Sequence, residues 1–476
     1  MTISAERFEI LLNRPIALSL IALLSLTSQA QAFDVRQAIV YVLESNPDIQ
    51  AAEYNKQARE FELGQARSFR APKFSLNGWA GSSRDLGENS SGTGDYVDGY
   101  ELNAEVSQRL FDGFWTRSEI EHQAYRVDAA ALRVLERSEF LGLEATRLYA
   151  DVLRMREQVS VAQSNLAYHR DAVARLQRAF DNDVVSASDL LQGEERLLTA
   201  EDILLEFQLD LADTEAFFVE VVGVEPNSLS SVPSVSSAVA PSFDRALATA
   251  RARNPTIRFS QADVGASEAL SRRAQSNRFP TLDLVMGGRY GEDVDGVAGE
   301  VNDLSVGLRF NYEFQGTSNR SEREANARRV NESRARLLSQ TRLVEREMRQ
   351  SWNAREQVRK RVSVLSSRVN ELQDLRQTYE TEFGIGARSL LDVLNTQNAY
   401  VRAQAELINA RSLSTYIDYR VLAASGVLLA TLGIEPPEDA KPYARDQVGA
   451  PPVAAAETQD RFDAQSFSDW RKSIGR

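Results

Sequence analysis

LSVGLRFNYEF, residues 304–314, alternates apolar and polar side chains without a break. Leu304, Val306, Leu308, Phe310, Tyr312 and Phe314 fall on one side, and Ser305, Gly307, Arg309, Asn311 and Glu313 on the other. Strict period two is the mark of a strand with two unlike faces. Three more runs share it: Leu282, Leu284 and Met286 against Thr281 and Asp283; Phe74, Leu76, Gly78 and Ala80 against Lys73, Ser75 and Asn77; and Leu102, Ala104, Val106 and Leu110 against Glu101, Asn103, Glu105, Ser107 and Arg109. The pattern predicts strands over 72–83, 100–111, 280–290 and 303–314. Runs of about ten residues, apolar on one face and charged on the other, have the length of a transmembrane barrel strand. Trp79, Tyr100, Tyr290 and Tyr312 are available for interfacial girdles. A soluble sheet would alternate in the same way, so the choice between the two rests on the rest of the chain.

Outward from the strands the period changes. From Ile120, Ala124, Val127 and Ala131 onward to Leu176 and Phe180, apolar positions recur at alternating steps of four and three, with only Ser138 and His169 polar. This is a coiled-coil seam, and at about 1.5 Å per residue the run from Gly113 to Phe180 makes a rod of about 100 Å. The second half repeats it through Val330, Leu337, Val344, Met348, Val358, Val362, Leu365, Val369 and Leu372 to Phe383. There it is interrupted by Arg334, Ser351, Arg355 and Arg376, which makes a wetter seam. Shorter helices are expected over about 35–70 and 188–222, the latter with Leu190, Leu197, Leu204, Leu211 and Phe218 one heptad apart. Each is roughly 50 Å long, so two laid end to end cover one rod.

The repetition is a duplication. Asn46-Pro47 matches Asn254-Pro255 (254 − 46 = 208), Phe111-Asp-Gly113 matches Phe314-Gln-Gly316 (314 − 111 = 203), and Asp189 matches Asp392 at the same 203. Gly223-Val-Glu-Pro226 returns as Gly433-Ile-Glu-Pro436 at 210; the extra seven residues are one heptad, which an inserted helix segment would accommodate without changing its buried face. The expected organisation is a first repeat at 33–227, a Ser/Val/Pro-rich linker at 228–241, a second repeat at 242–436 and a disordered tail at 437–476.

The apolar run from Pro15 to Leu26 is too short to span a bilayer and leads into Ala30-x-Ala32, a small-residue cleavage site, so residues 1–32 read as an export signal. An exported chain turns the choice of sheet toward the barrel. Residue 33 is Phe, not Cys, so no lipid anchor attaches there. The 476 residues carry a net charge of −13, no cysteine and two histidines. That excludes disulfide frameworks and cysteine-ligated metals, and a pI near 5.0 argues against a nucleic-acid partner. Gly384-Ile-Gly386 follows a helix and is no nucleotide loop, and Asp293-Val-Asp295-Gly is only a fragment of a calcium loop. His169 in the seam reads as a register-setting polar residue, and His122 has no sequence partner. The chain has no G-x-S-x-G or HExxH motif, so neither an enzyme nor a cofactor is expected.

One chain supplies four strands, and membrane barrels need at least about eight, because an open edge in lipid strands backbone groups without partners. The barrel must be shared between copies. The order helix, strand pair, long helix, turn, shorter helix, repeated once over about 33–436, resembles the TolC family of outer-membrane efflux and secretion channels. Its sharpest stretches are FDNDVVSASDLL (180–191), FGIGARSLLDVLN (383–395) and the GVEP and GIEP tetrapeptides. The resemblance implies an α+β membrane protein: a homotrimer with a twelve-stranded barrel in the outer membrane of a Gram-negative cell, continued by a periplasmic helical tunnel. Its implied partners are outer-membrane lipid, a periplasmic adaptor and an inner-membrane pump, ABC-type or proton-driven. Carried over residue by residue, Asp392 falls on the acidic ring that constricts the entrance, while the next family acid is Asn395 here. Arg388 matches the basic latch, with Ser188 and Asp189 as its expected partners. Gly386 matches the tip glycine that an adaptor approaches, with Asp183 in the equivalent place and Val184 and Gly384 beside them. The stretch 416–433, YIDYRVLAASGVLLATLG, looks more like the type I protein-secretion branch than the drug-efflux branch. The function expected is a passive exit duct driven by its partners; the alternative is a periplasmic coiled-coil scaffold with a soluble sheet.

Overall fold

The computed structural model describes residues 33–84, 96–294, 299–313 and 316–455. The expected leader with Ala30 and Ala32, most of the loop from Asp85 to Gly99, Asp295, Phe314 and residues 456–476 lie outside the described residues. In chain order the elements are α1 (Val35–Ser45), α2 (Pro47–Ser68), β1 (Lys73–Ser83), β2 (Val97–Phe111), α3 (Trp115–Asp181), α4 (Ala187–Val222), α5 (Phe243–Arg253), α6 (Pro255–Gln275), β3 (Thr281–Glu292), β4 (Glu300–Asn311), α7 (Thr317–Gly384), α8 (Leu390–Ala424), α9 (Leu428–Thr431) and α10 (Ala444–Val448).

The rods are α3 and α7, of 67 and 68 residues. The α3 seam is buried from Ile120 to His169, Ser138 by donating its hydroxyl to the Val134 carbonyl and His169 against Asn398, and opens toward the exposed Phe180. The three arginine interruptions of α7 find partners, since Arg355 donates to Asp418, Arg334 pairs with Glu268 and Arg376 donates to Gln397, whereas the Ser351 hydroxyl is buried without a hydrogen-bond partner among the described residues. Both α2 and α4 pack on α3, while α6 and α8 bridge α3 to α7. Apolar clusters gather at mid-height, where Ile39, Leu148, Tyr149, Phe218 and Leu429 form one and Ile257, Val344, Met348, Tyr419 and Leu428 a second. The linker is pinned between them, because Tyr149 donates to the Phe33 and Ser230 carbonyls and Tyr419 to that of Pro233.

The four strands form one antiparallel sheet in the order β1-β2-β3-β4, leaving β1 and β4 as edges. Register places Leu102 opposite Tyr290 and Val106 opposite Met286, so these share the apolar face. Trp79 stands opposite Glu101 and therefore lies on the charged face, which removes it from the girdle expected from sequence; Tyr100 and Tyr290 keep to the apolar face, with rings 6.2 Å apart. Across the charged face Arg289 pairs with Glu101 at 2.8 Å, Arg309 with Glu105 at 2.9 Å, and Arg109 with Asp283.

Three further expectations are corrected. The helix expected over 35–70 is broken at Asn46, whose side chain caps α2 while Pro47, lacking an N–H, occupies its first turn; Asn254 and Pro255 repeat the break. The heptad insertion does not lengthen the long helix: α8 starts 390 − 187 = 203 and ends 424 − 222 = 202 residues after α4, so the added residues fall after it, in the segment that carries the short α9. There Leu428 and Leu429 enter the core, and the buried Glu139 carboxylate accepts their backbone N–H groups at 3.1 and 3.4 Å. The tail is ordered over 437–455. Lys56 and Gln57 hold Asp439 at 2.7 and 2.9 Å, and Asp128 accepts the N–H groups of Tyr443, Ala444 and Arg445, so buried polar contacts substitute for the missing periodicity.

Candidate functional site

The two turns at the far end of the rods are built alike. At the first, Asp183 takes left-handed backbone (φ 57°), its N–H reaches Phe180 O at 2.9 Å, and Val184 N–H reaches Ala179 O at 2.8 Å. At the second, Gly386 (φ 77°) bonds Phe383 O at 2.9 Å and Ala387 bonds Glu382 O at 2.9 Å. This is the double-bonded left-handed helix stop that glycine favours, and aspartate is among the few side chains that tolerate it. Asp183, standing where the second turn has Gly386, thus leaves the turn geometry intact. Open space surrounds Gly384 and Gly386. Val184 and Ile385 are 74% and 78% exposed, so each tip presents an apolar side chain; Ile385 is one the sequence reading did not single out.

After each turn a serine caps the returning helix, but the equivalent aspartates then diverge. Ser186 accepts from Asp189 N–H at 3.2 Å, and the Asp189 carboxylate takes Ser186 N–H at 3.1 Å and its hydroxyl at 2.8 Å, closing a capping box. Ser188 Oγ lies 3.2 Å from Ser186 Oγ. Ser389 instead caps through Leu391 N–H at 3.1 Å, which leaves the Asp392 carboxylate 46% exposed and 3.9 Å from Arg388. Asn395, also exposed, sits one helical turn further on.

The structure does not bring Arg388 to Ser188 or Asp189 within the chain. Its guanidinium donates to Glu382 at 2.8 Å, lies 4.2 Å over the Tyr379 ring, and is held above its ordinary pKa by the Glu382 carboxylate. Neither Glu382 nor Tyr379 was marked by sequence, because their approach depends on the turn doubling α7 back on itself. Above the tip a polar layer joins α3 to α7 and α8: Gln397 donates to Asn165 at 3.0 Å, Tyr168 to Glu380 at 2.9 Å, and His169 meets Asn398 at 3.3 Å. Burial holds the His169 pKa below its usual value, so the ring is neutral. His122 is bonded to the Ala266 carbonyl at 2.9 Å, a packing role.

Among the described residues no helix is long and apolar enough to cross a membrane, and no group of acidic or histidine side chains is arranged to hold a metal. What faces outward is the sheet, with Leu304 at 80% exposure and Val306, Leu308 and Phe310 beside it. An apolar sheet carried on two long helical hairpins defines the class: an outer-membrane channel protein. The model of the outer membrane efflux protein family matches residues 38–224 and 246–426, and the chain belongs to that family. It is similar to the outer membrane efflux protein BepC of Brucella suis, 24% identical over 417 residues that cover 86% of this chain and 89% of that one. It is also similar to the outer membrane protein TolC of Escherichia coli, 23% identical over 443 residues covering 87% and 86%. Its fold is that of the Campylobacter jejuni CmeC outer membrane channel, with a TM-score of 0.74 at 14% identity, covering 85% of this chain and 87% of that one. The protein is an outer-membrane exit duct.

Proposed function

We propose that three copies complete the duct, with twelve strands closing a barrel and twelve long-hairpin helices forming a tunnel below it. The observation that supports this is the sheet itself, whose apolar face is exposed while the outer edges of β1 and β4 have no partner strand among the described residues. In lipid such edges must be paired by other copies, because each open backbone group costs several kcal/mol. A head-to-tail arrangement joining β4 of one copy to β1 of the next closes into a ring.

The paired charges on the other sheet face then line the bore. The tips form the periplasmic entrance, where Asp392 from each copy approaches the axis as a carboxylate ring, Asn395 leaves the next level uncharged, and Arg388 restrains the closed state. Asp183, Val184, Gly384 and Gly386 present the surface that a periplasmic adaptor reaches. The chain performs no chemistry; energy and cargo choice, small molecule or exported protein, come from an ABC-type or proton-driven inner-membrane pump. Fractionation tests the reading. The duct is expected to stay with the outer membrane after osmotic shock and to need detergent, whereas release as a water-soluble monomer would replace it with a periplasmic scaffold.

A further inference from the structure

The links that carry the helices into the sheet hold a repeated feature that the duct reading leaves unused. Arg70 precedes β1 and Arg278 precedes β3, each two residues before a proline, at the same repeat offset (278 − 70 = 208 and 280 − 72 = 208). Both side chains are exposed, and neither is drawn into a hydrogen bond or ion pair among the described residues. Neighbouring arginines are engaged: Arg272 and Arg117 pair with Glu121 at 2.7 and 3.1 Å, Arg273 with Glu119, and Arg109 with Asp283.

Phe69, Ala71, Pro72 and Phe279 of the links line a cavity on the charged side of the sheet, whose lining does not include Arg70 or Arg278, and each link also reaches the apolar side. Gln108, opposite Leu284 on that face, donates to the Arg70 carbonyl at 3.0 Å. Phe279, next to Arg278, packs edge-on against Phe111 and Phe114 at 6.3 Å each, and Phe111 stands opposite Leu282 on the same face. Phe69, next to Arg70, meets Trp115 edge-on at 5.4 Å. Partly exposed aromatic rings at the end of an apolar strand band mark the level where hydrocarbon gives way to headgroups. A free guanidinium at that level matches a phosphate, which it can grip through two parallel N–H donors.

We propose that Arg70 and Arg278 hold the phosphate groups of phospholipids in the periplasm-facing leaflet, fixing how deep the sheet sits. The inference rests on the barrel reading, because it needs the apolar face to be in lipid. The test is lipid retention by the purified full-length chain in detergent. Phosphatidylglycerol, or a diacylglycerol with the same acyl chains and no phosphate, is added to the wild type and to Arg70→Gln/Arg278→Gln, and bound lipid is counted by native mass spectrometry. The wild type is expected to retain phosphatidylglycerol over diacylglycerol. The double variant should lose about tenfold of that preference, given the usual contribution of basic residues at a lipid surface, and Arg70→Lys/Arg278→Lys should recover part of it. Equal retention by wild type and glutamine variant, while both still require detergent, overturns the phosphate contact and leaves the barrel standing. Inorganic phosphate displacing the lipid completely at equal concentration overturns lipid as the ligand. A chain soluble without detergent overturns the barrel reading itself.

Discussion

At the residue scale, equivalent positions of the two repeats do different work because their immediate partners differ. Asp189 closes a capping box and Asp392, its repeat mate, does not, so only the second carboxylate is left to face Arg388, 3.9 Å away. Spacing shows that both are first-turn acids, but which one is occupied depends on which backbone N–H the preceding serine caps. Arg388 tells the same story, because Glu382 lies only six residues before it and reaches it across the turn. If that contact restrains the closed entrance, Glu382→Ala and Arg388→Ala should each raise single-channel conductance in planar bilayers, and an unchanged conductance in both would remove Arg388 as a latch. Glu139 is the clearest titrating group: burial lifts its carboxyl from 4.5 to about 7 against the pull of two backbone N–H donors. Its folded pKa lies above the unfolded one, so folding takes up a proton between those values, and stability present at low pH is lost as pH rises through 7. The full swing is roughly 3 kcal/mol. Glu139→Gln keeps the acceptor and removes the charge, so the apparent melting temperature should fall between pH 5 and 8 in the parent and stay flat in the variant.

At the element scale, the heptads and the alternation locate the rods and strands within a few residues, because both patterns record which side of an element is buried. They do not reveal how closely two helices approach. Gly265 on α6 lies against the Tyr125 ring of α3, so that an added Cβ would collide with the ring, whereas Gly64 on α2 has open space around it. Gly265→Ala is expected to destabilise the α3–α6 packing by about 1–3 kcal/mol. Gly64→Ala should stabilise by roughly 0.5–1 kcal/mol, since helix interiors favour alanine. Thermal melts that moved the same way for both would refute this account of the packing. The stop of α8 at Ala424 was hidden for a related reason: seven residues preserve a heptad whether they extend a helix or leave it, and only the burial of Leu428 and Leu429 distinguishes the two.

At the scale of the whole molecule, some properties belong to no single chain. A carboxylate ring at the entrance exists only if three copies of Asp392 meet on an axis, so Asp392→Ala should abolish block by divalent cations in bilayer recordings. Equal block in parent and variant would discard the ring. The recurrence of matching motifs, the two rods, the four strands and the cysteine-free composition were legible in the sequence alone, because periodicity and composition are local and survive any arrangement in space. Only the tertiary structure decided that residues 437–455 bind along α2 and α3, that Trp79 faces the charged side, and which acid Arg388 chooses. Each of these depends on side chains brought together across a turn, a strand register or a distance of hundreds of residues, and a linear pattern carries no record of such meetings.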